Sequence, residues 1–468
     1  LSSHNNFLAN SSRKAISNSS PSITALEAIH LIAKQLEYSV NKPLTILSRD
    51  NNTSQNTIFS NGGISVNDIP VQLVYKLNKE KKLILTWEVS ILEPSFEHSW
   101  LINVDASTGI IMDKSDLVIK CNPGSNPKNE LNYNSNLINF KKPEGELNSC
   151  EECYEVLAFP IESPYFGERS IVNSPSNDLA SPYGWHDVDG QPGREYNTTR
   201  GNNMNAYIGT SGEDGYQPYG GELLNFSGYP FDQNFTIEDR QEDASITNLF
   251  YWGNITHDVL YQYGFDERAG NFQENNYDRG GLEEDSIFAL GQVQLDYCNA
   301  YFIPTIDGGR SYLNMNACNT KDADFDNLVV IHEYIHGLTS RLIGGGFGGV
   351  CYALETPLEG WSDWYGLMLT MSPEAVSTRP RGIATYLLNQ GENGEGGRPY
   401  PYTTDMNINP QTYDSIKYYD NVHEIGSVWA SILWEVTWVL IEEYGYDSNI
   451  YNFTGDVNQD AGNIIALA

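Results

Sequence analysis

Residues 1–20 are almost uniformly polar and predict an unstructured segment. Hydrophobic spacing begins at Ser22-Ile-Thr-Ala-Leu-Glu-Ala-Ile-His-Leu-Ile-Ala. There, apolar residues recur at helical intervals behind a serine suited to the N-cap. Strand-like runs follow at 71–77, 83–92 and 100–104, a turn at Asp105-Ala-Ser-Thr-Gly109, and a short return at 110–112. One helix on a small antiparallel sheet makes a self-contained α+β domain over residues 1–119. Residues 120–153, rich in Asn, Pro, Glu and Lys, read as an exposed linker open to proteolytic cutting. The pattern then loosens. Residues 154–326 are rich in Gly, Asn and Tyr and predict an irregular β-rich lobe. A helix near 248–263 interrupts it, carrying Leu249, Phe250, Trp252, Ile255, Val259 and Leu260. From 327 the period is helical, with helices near 327–342, 357–371 and 422–444. A β-rich lobe followed by a helical lobe, 327–468, predicts a cleft between them, where sites usually lie.

Length and charge narrow the classes. The 468 residues are too many for one core and suggest two to four structural units. No stretch reaches the ~18 apolar residues of a membrane span. A net charge of -34 disfavours nucleic acid and anionic membranes as partners. The N-terminus, LSSHNNFLANSSRK, reads as already processed. Six cysteines (Cys121, Cys150, Cys153, Cys298, Cys318 and Cys351) suit an extracellular protein with a few disulfides, and the pairing stays open. Cys150-Glu-Glu-Cys153 reads either as half a zinc ribbon or as linker cysteines that pair locally or stay reduced.

The chemistry concentrates in the helices after 326. In His332-Glu333-Tyr334-Ile335-His336 two imidazoles at i and i+4 share one helix face and can address one metal ion. Asp326 or Asn327 can cap this helix, and Gly344-Gly-Gly346 ends it. A tetrahedral catalytic zinc takes three protein ligands and keeps one position open. Leu358-Glu359-Gly360-Trp361-Ser362-Asp363, with Thr356 as cap and Pro357 first in the helix, offers the third. Glu359 fits the ligand, and Asp363, one turn on, fits an acceptor for the other ring N–H of a ligating histidine. Glu333 is turned about 100° from its neighbouring ligand and fits a general base for water made acidic by the ion. His423 stands at the start of the third helix, where it either plays a structural part or donates to a tetrahedral oxyanion.

The ordered set HEYIHGLTSRLIGG (332–345), EGWSDWYG (359–366) and VHEIGSVWA (422–430) resembles the fungalysin metallopeptidases, thermolysin-like members of the gluzincin group. Gly167-Glu-Arg-Ser, Ser181-Pro-Tyr-Gly-Trp-His186, Asn197-Thr-Thr-Arg-Gly-Asn-Asn203, the stretch 263–273 and Arg398-Pro-Tyr-Pro-Tyr-Thr-Thr-Asp405 carry the likeness further. It spans about 154–468, and residues 22–119 resemble the family's propeptide. The resemblance implies zinc held by His332, His336 and Glu359, with Glu333 as general base and His423 as transition-state donor. It implies that Asn299 and Ala300 hold substrate backbone, that Arg398 contacts a substrate carbonyl, and that Tyr352 is a second oxyanion donor. Ser427 stands where the family carries Glu. The chain stops at Ala468 inside an apparent helix where the family continues, so it reads as truncated. The expected protein is a secreted, monomeric zinc endopeptidase acting on polypeptides. Its own propeptide would inhibit it until the linker is cut, and Cys121 is a candidate thiolate cap on the metal. Calcium is a further candidate at Asp322-Ala-Asp324-Phe-Asp326, against helix capping by the same acids. Two other classes remain open: a non-catalytic binding protein on a peptidase scaffold, and an aminopeptidase of the same zinc group.

Overall fold

A computed structural model describes residues 20–121 and 150–450, apart from 51–52, 79, 81, 210–214, 235, 237–238, 296, 319, 344–355 and 449. The polar segment 1–19 and Gly344–Gly346 therefore lie outside the described residues. The fold is α+β, and the chain divides into two compact units, Leu1–Val118 and Ile119–Ala468.

In the first unit, strands β1 (Ile46–Arg49), β2 (Thr57–Phe59), β3 (Ile69–Leu77), β4 (Leu83–Leu92), β5 (Ser99–Asp105) and β6 (Ile111–Asp116) form an antiparallel sheet in sequence order. Helix α1 (Ala25–Gln35) buries Ala28, Ile29, Ile32 and Ala33 in a core with Val71, Trp87, Val89, Ile102 and Val104. The cap is Thr24, not Ser22. Thr24 has a Glu three residues on, so Glu27 N donates to its Oγ1 (3.2 Å) while Glu27 Oε2 accepts from Thr24 N (2.7 Å). Ser22 has only Ala25 at that spacing and cannot close the box. The pattern missed β1 and β2: each is short, and β1 is exposed along its length, leaving no apolar alternation to read.

The second unit carries strands β7 (Ile119–Cys121), β8 (Cys153–Val156), β9 (Ser170–Asn173), β10 (Met204–Ile208), β11 (Asn225–Phe226), β12 (Ile287–Gly291), β13 (Ala300–Ile303), β14 (Tyr312–Met315), β15 (Ala317–Cys318) and β16 (Lys321–Asp322). The main sheet runs β10-β12-β14-β13-β7. Its first two pairings are parallel, and β13 is antiparallel to both neighbours. A three-stranded sheet, β11-β8-β9, and the pair β15-β16 complete the strands.

Helix α2 (Glu242–Gln262) packs on β8 and β10 and on α3 (Asn327–Leu342). It starts at Glu242 rather than near 248, because Ala244, Ser245, Ile246 and Thr247 are already buried helix. A reading keyed to large apolar residues passes over them. Helix α3 packs on β13 and β14, on α2, and on α4 (Leu358–Leu369), which in turn packs on α5 (Val422–Tyr444). Two close approaches need glycine. A Cβ at Gly337 would come within 2.6 Å of Phe302 on β13. A Cβ at Gly426 would come within 2.5 Å of Glu359 Cβ, and one at Gly360 within 2.3 Å of Gly426 O. By length and composition α5 is apolar enough to cross a membrane (mean hydropathy 1.3), which corrects the expectation that no such stretch exists. Its apolar residues include Ile425, Val428, Trp434 and Trp438, all buried inside this unit. Among the described residues two disulfides close local loops, Cys150–Cys153 and Cys298–Cys318.

Candidate metal centre

Residues Asn327 to Arg341 of α3 are buried on every side, so the polar groups on this helix must be satisfied inside the protein. His332 and His336 lie one turn apart with their Nε2 atoms 3.1 Å from each other. From the start of α4, Glu359 sets Oε2 3.2 Å from His332 Nε2 and Oε1 3.6 Å from His336 Nε2. An ion about 2.0–2.1 Å from each donor at the centre of a tetrahedron would space its ligands by roughly 3.3–3.4 Å. The three observed separations bracket that value. Two imidazoles and one carboxylate are also a donor set that zinc accepts, with three of four tetrahedral positions supplied by protein. The residues present therefore fit a zinc ion.

Support for these donors is uneven. His332 Nδ1 lies 2.8 Å from Asp363 Oδ1. Arg398 grips Asp363 with two prongs, Nε to Oδ2 at 2.7 Å and Nη2 to Oδ1 at 2.8 Å, and the Tyr402 hydroxyl donates to Oδ2. Burial opposes ionisation of Asp363, yet Arg398 and His332 hold its carboxyl down to about 2. Burial likewise opposes the charge on Glu359, and the imidazoles of His423, His336 and His332 keep it well below the usual carboxylate range. Burial disfavours a charged His332, but Asp363 and Glu359 outweigh it and lift the imidazole to about 9. On His336 burial wins and pushes the ring down to about 3. Among the described residues, His336 Nδ1 is partnered by a neutral group, Ser362 Oγ, at 3.2 Å.

Glu333 follows His332 on α3 and is fully buried. His423, in the first turn of α5, brings Nε2 to 3.5 Å from Glu359 Oε2. The glycine contacts at Gly360 and Gly426 let α4 and α5 approach closely enough for this. The Asn299 backbone carbonyl accepts from Asn316 Nδ2 at 2.7 Å, and Ala300 opens β13, the strand against α3. The guanidinium of Arg398 is 2% exposed and committed to Asp363, with Nη2 also 3.7 Å from Glu359 Oε2. Tyr352, Cys351 and the Cys121 side chain lie outside the described residues.

Of the acids weighed for calcium, Asp322 and Asp326 receive N–H groups and the Asp324 carboxylate does not. Asp322 accepts from Asp324 N (3.0 Å) and Gln292 Nε2 (2.7 Å), and Asp326 from Leu387 N (3.1 Å). Asp187, Asp189 and Glu195 form another acidic group, likewise occupied by the N–H groups of Gly190, Gln191 and Val188. Sequence reasoning passed over Ser362 and Tyr402. Ser362 was findable, since i+3 from Glu359 places it on the ligand face of α4. Tyr402 lies 39 residues from Asp363 and left no local signal.

Residues 153–468 match the profile of the fungalysin metallopeptidase (M36) family. The chain belongs to that family. It is 35% identical over 395 residues to an extracellular metalloproteinase of Pyrenophora tritici-repentis, covering 81% of this chain and 54% of that protein. It is 33% identical over 434 residues to extracellular metalloproteinase 5 of Arthroderma otae, covering 90% and 62%. Extracellular metalloproteinase 2 of Phaeosphaeria nodorum is 37% identical over 324 residues, covering 64% and 47%. The chain thus spans about half to two-thirds of the length of these curated relatives. A catalytic metal belongs to this family, and His332, His336 and Glu359 are grouped to hold one.

Proposed function

We propose that this fungalysin is a secreted, monomeric zinc endopeptidase made as a zymogen. The observation that carries the reading is the convergence of His332, His336 and Glu359 at tetrahedral spacing, with Glu333 beside them on α3. A bound zinc ion would polarise the scissile carbonyl and acidify a water molecule. Glu333 is the general base: it takes the proton and passes it to the leaving amine. His423 donates to the oxygen that gains negative charge. Asp363, held by Arg398 and Tyr402, fixes the tautomer of His332. Asn299, Ala300 and Arg398 keep their places on the substrate backbone, and Tyr352 as a second oxyanion donor, from the resemblance alone. No calcium enters the proposal, since Asp322, Asp324 and Asp326 are not among the groups of acids whose oxygens converge on one point within the described residues.

The division proposed is propeptide 1–119, linker 120–153, β-rich lobe 154–326 and helical lobe 327–468, with the cleft between the lobes. Inhibition before processing draws support from β7, the strand at the junction of the propeptide and linker. Its backbone pairs along β13, with Phe302 opposite Ile119 and Ala300 opposite Cys121. A substrate that adds as a strand to β13 needs that same edge. Cutting within 122–149 would free it. Secretion draws support from the names of the relatives and from the disulfides Cys150–Cys153 and Cys298–Cys318.

The test is to nick the 122–149 segment, incubate the product with a long denatured protein, and map the fragments. Internal cuts are expected. Stepwise loss of N-terminal residues would make the protein an aminopeptidase, and no cleavage would leave a binding scaffold.

A further inference from the structure

The face of α4 that meets α3 carries three polar side chains at i, i+3 and i+4: Glu359, Ser362 and Asp363. All three are buried, and each addresses a histidine of α3. Glu359 contributes a donor to the metal-binding trio. Asp363 takes the Nδ1 side of His332. The Nδ1 side of His336 is left to Ser362, whose Oγ is 3.2 Å away and fully buried.

A ring that offers Nε2 to a cation must carry its proton on Nδ1, and that N–H needs an acceptor because water is excluded. For His336 the acceptor the geometry offers is the serine hydroxyl. A hydroxyl accepts this hydrogen bond without bringing charge. That matters here, because Glu333, Glu359 and Asp363 are already buried within this small region, and Arg398 is committed to Asp363. A second carboxylate in place of Ser362 would add a buried charge without a cation beside it.

We propose that Ser362 is a positioning residue for the metal: by accepting the Nδ1–H of His336 it fixes that ring's tautomer and orientation, and so sets zinc affinity independently of Asp363. The inference rests on the zinc reading above. It makes the two histidines unequal, one backed by an ionised carboxylate and the other by a neutral oxygen.

The test uses the full chain and needs no activity. Zinc affinity is measured by chelator competition in wild type, Ser362→Ala and Ser362→Thr, together with the visible spectrum of the cobalt-loaded proteins and the melting of the metal-free forms. Ser362→Ala is expected to weaken zinc by about tenfold, within the range for supporting partners of metal ligands. It should shift the cobalt bands and leave metal-free melting close to wild type. Ser362→Thr, which keeps the hydroxyl, should restore most of the affinity and the wild-type cobalt spectrum. Equal affinity and identical spectra for wild type and Ser362→Ala would overturn the role of Ser362. Wild type that takes up neither zinc nor cobalt would instead sink the zinc reading on which it rests.

Discussion

The first unit and helices α2 and α3 of the second solve the burial problem in opposite ways. In the first, α1 has an apolar stripe and β3 alternates buried with half-buried positions along its first half. Its buried polar groups are few, such as Glu88, which accepts from Gln72 and Asn103. In the second, α2 and α3 are buried on all sides and carry Asn248, His257, Asp258, His332, Glu333 and His336 inside the protein. Each such group needs a built partner. Asp258, for example, accepts from Ser181 Oγ, Trp185 Nε1 and Asn177 N. Periodicity specifies the first kind of structure, because it records which face meets water. Buried polar groups mark the second, because nothing but a partner or a ligand repays their desolvation.

Four substitutions and a pH series sharpen that contrast. Trp87→Ala empties the first unit's core and removes the indole bond to Ile23 O; a loss of about 4 kcal/mol is expected. Zinc content should stay unchanged, and zinc loss would contradict the independence of the two solutions. Gly426→Ala drives a methyl into Glu359 and the Gly360 backbone. It should destabilise by about 3 kcal/mol and reduce zinc uptake together, read by melting and metal analysis. Asp363→Asn keeps the shape but removes the charge opposite Arg398 and His332. Zinc affinity should fall by roughly 10–100-fold, and the metal-free protein should melt lower because Arg398 loses its buried counter-charge.

The pH series concerns Asp326. Burial, reinforced by Glu162, raises its carboxyl from 3.8 to about 7. The folded state then keeps a proton that the unfolded chain has released, so this group's contribution to stability falls as pH rises between about 4 and 7. In metal-free protein, moving from pH 7.5 to 5.5 should recover up to about 2 kcal/mol through this group, and Asp326→Asn should flatten the slope. Equal slopes would remove Asp326 from the account. Thr24→Ala opens the capping box of α1 and should cost about 1 kcal/mol in the first unit alone.

The same contrast explains what the sequence disclosed. The convergence of α3 and α4 was legible because i, i+4 spacing fixes a face whatever surrounds it, and the placing of His332 with His336 and of Glu359 with Asp363 rests on that rule. The start of α2 was not, since Ser245 and Thr247 are buried by packing that no local pattern records. Thr24 was readable in principle, because Glu27 stands three residues on. The commitment of Arg398 to Asp363 was not, because spacing along a loop does not say which way a guanidinium turns. The Cys298–Cys318 pairing depends on the segment before β13 meeting β15 20 residues on, which composition cannot reveal.

The central claim is that two imidazoles and one carboxylate hold zinc while Glu333 moves the proton. Metal analysis of the nicked wild type beside Glu333→Gln, with a protein-cleavage assay on both, tests it most directly. One zinc per chain in each, and cleavage only by wild type, is the predicted result. Equal cleavage by the two, or no zinc in wild type, would contradict it.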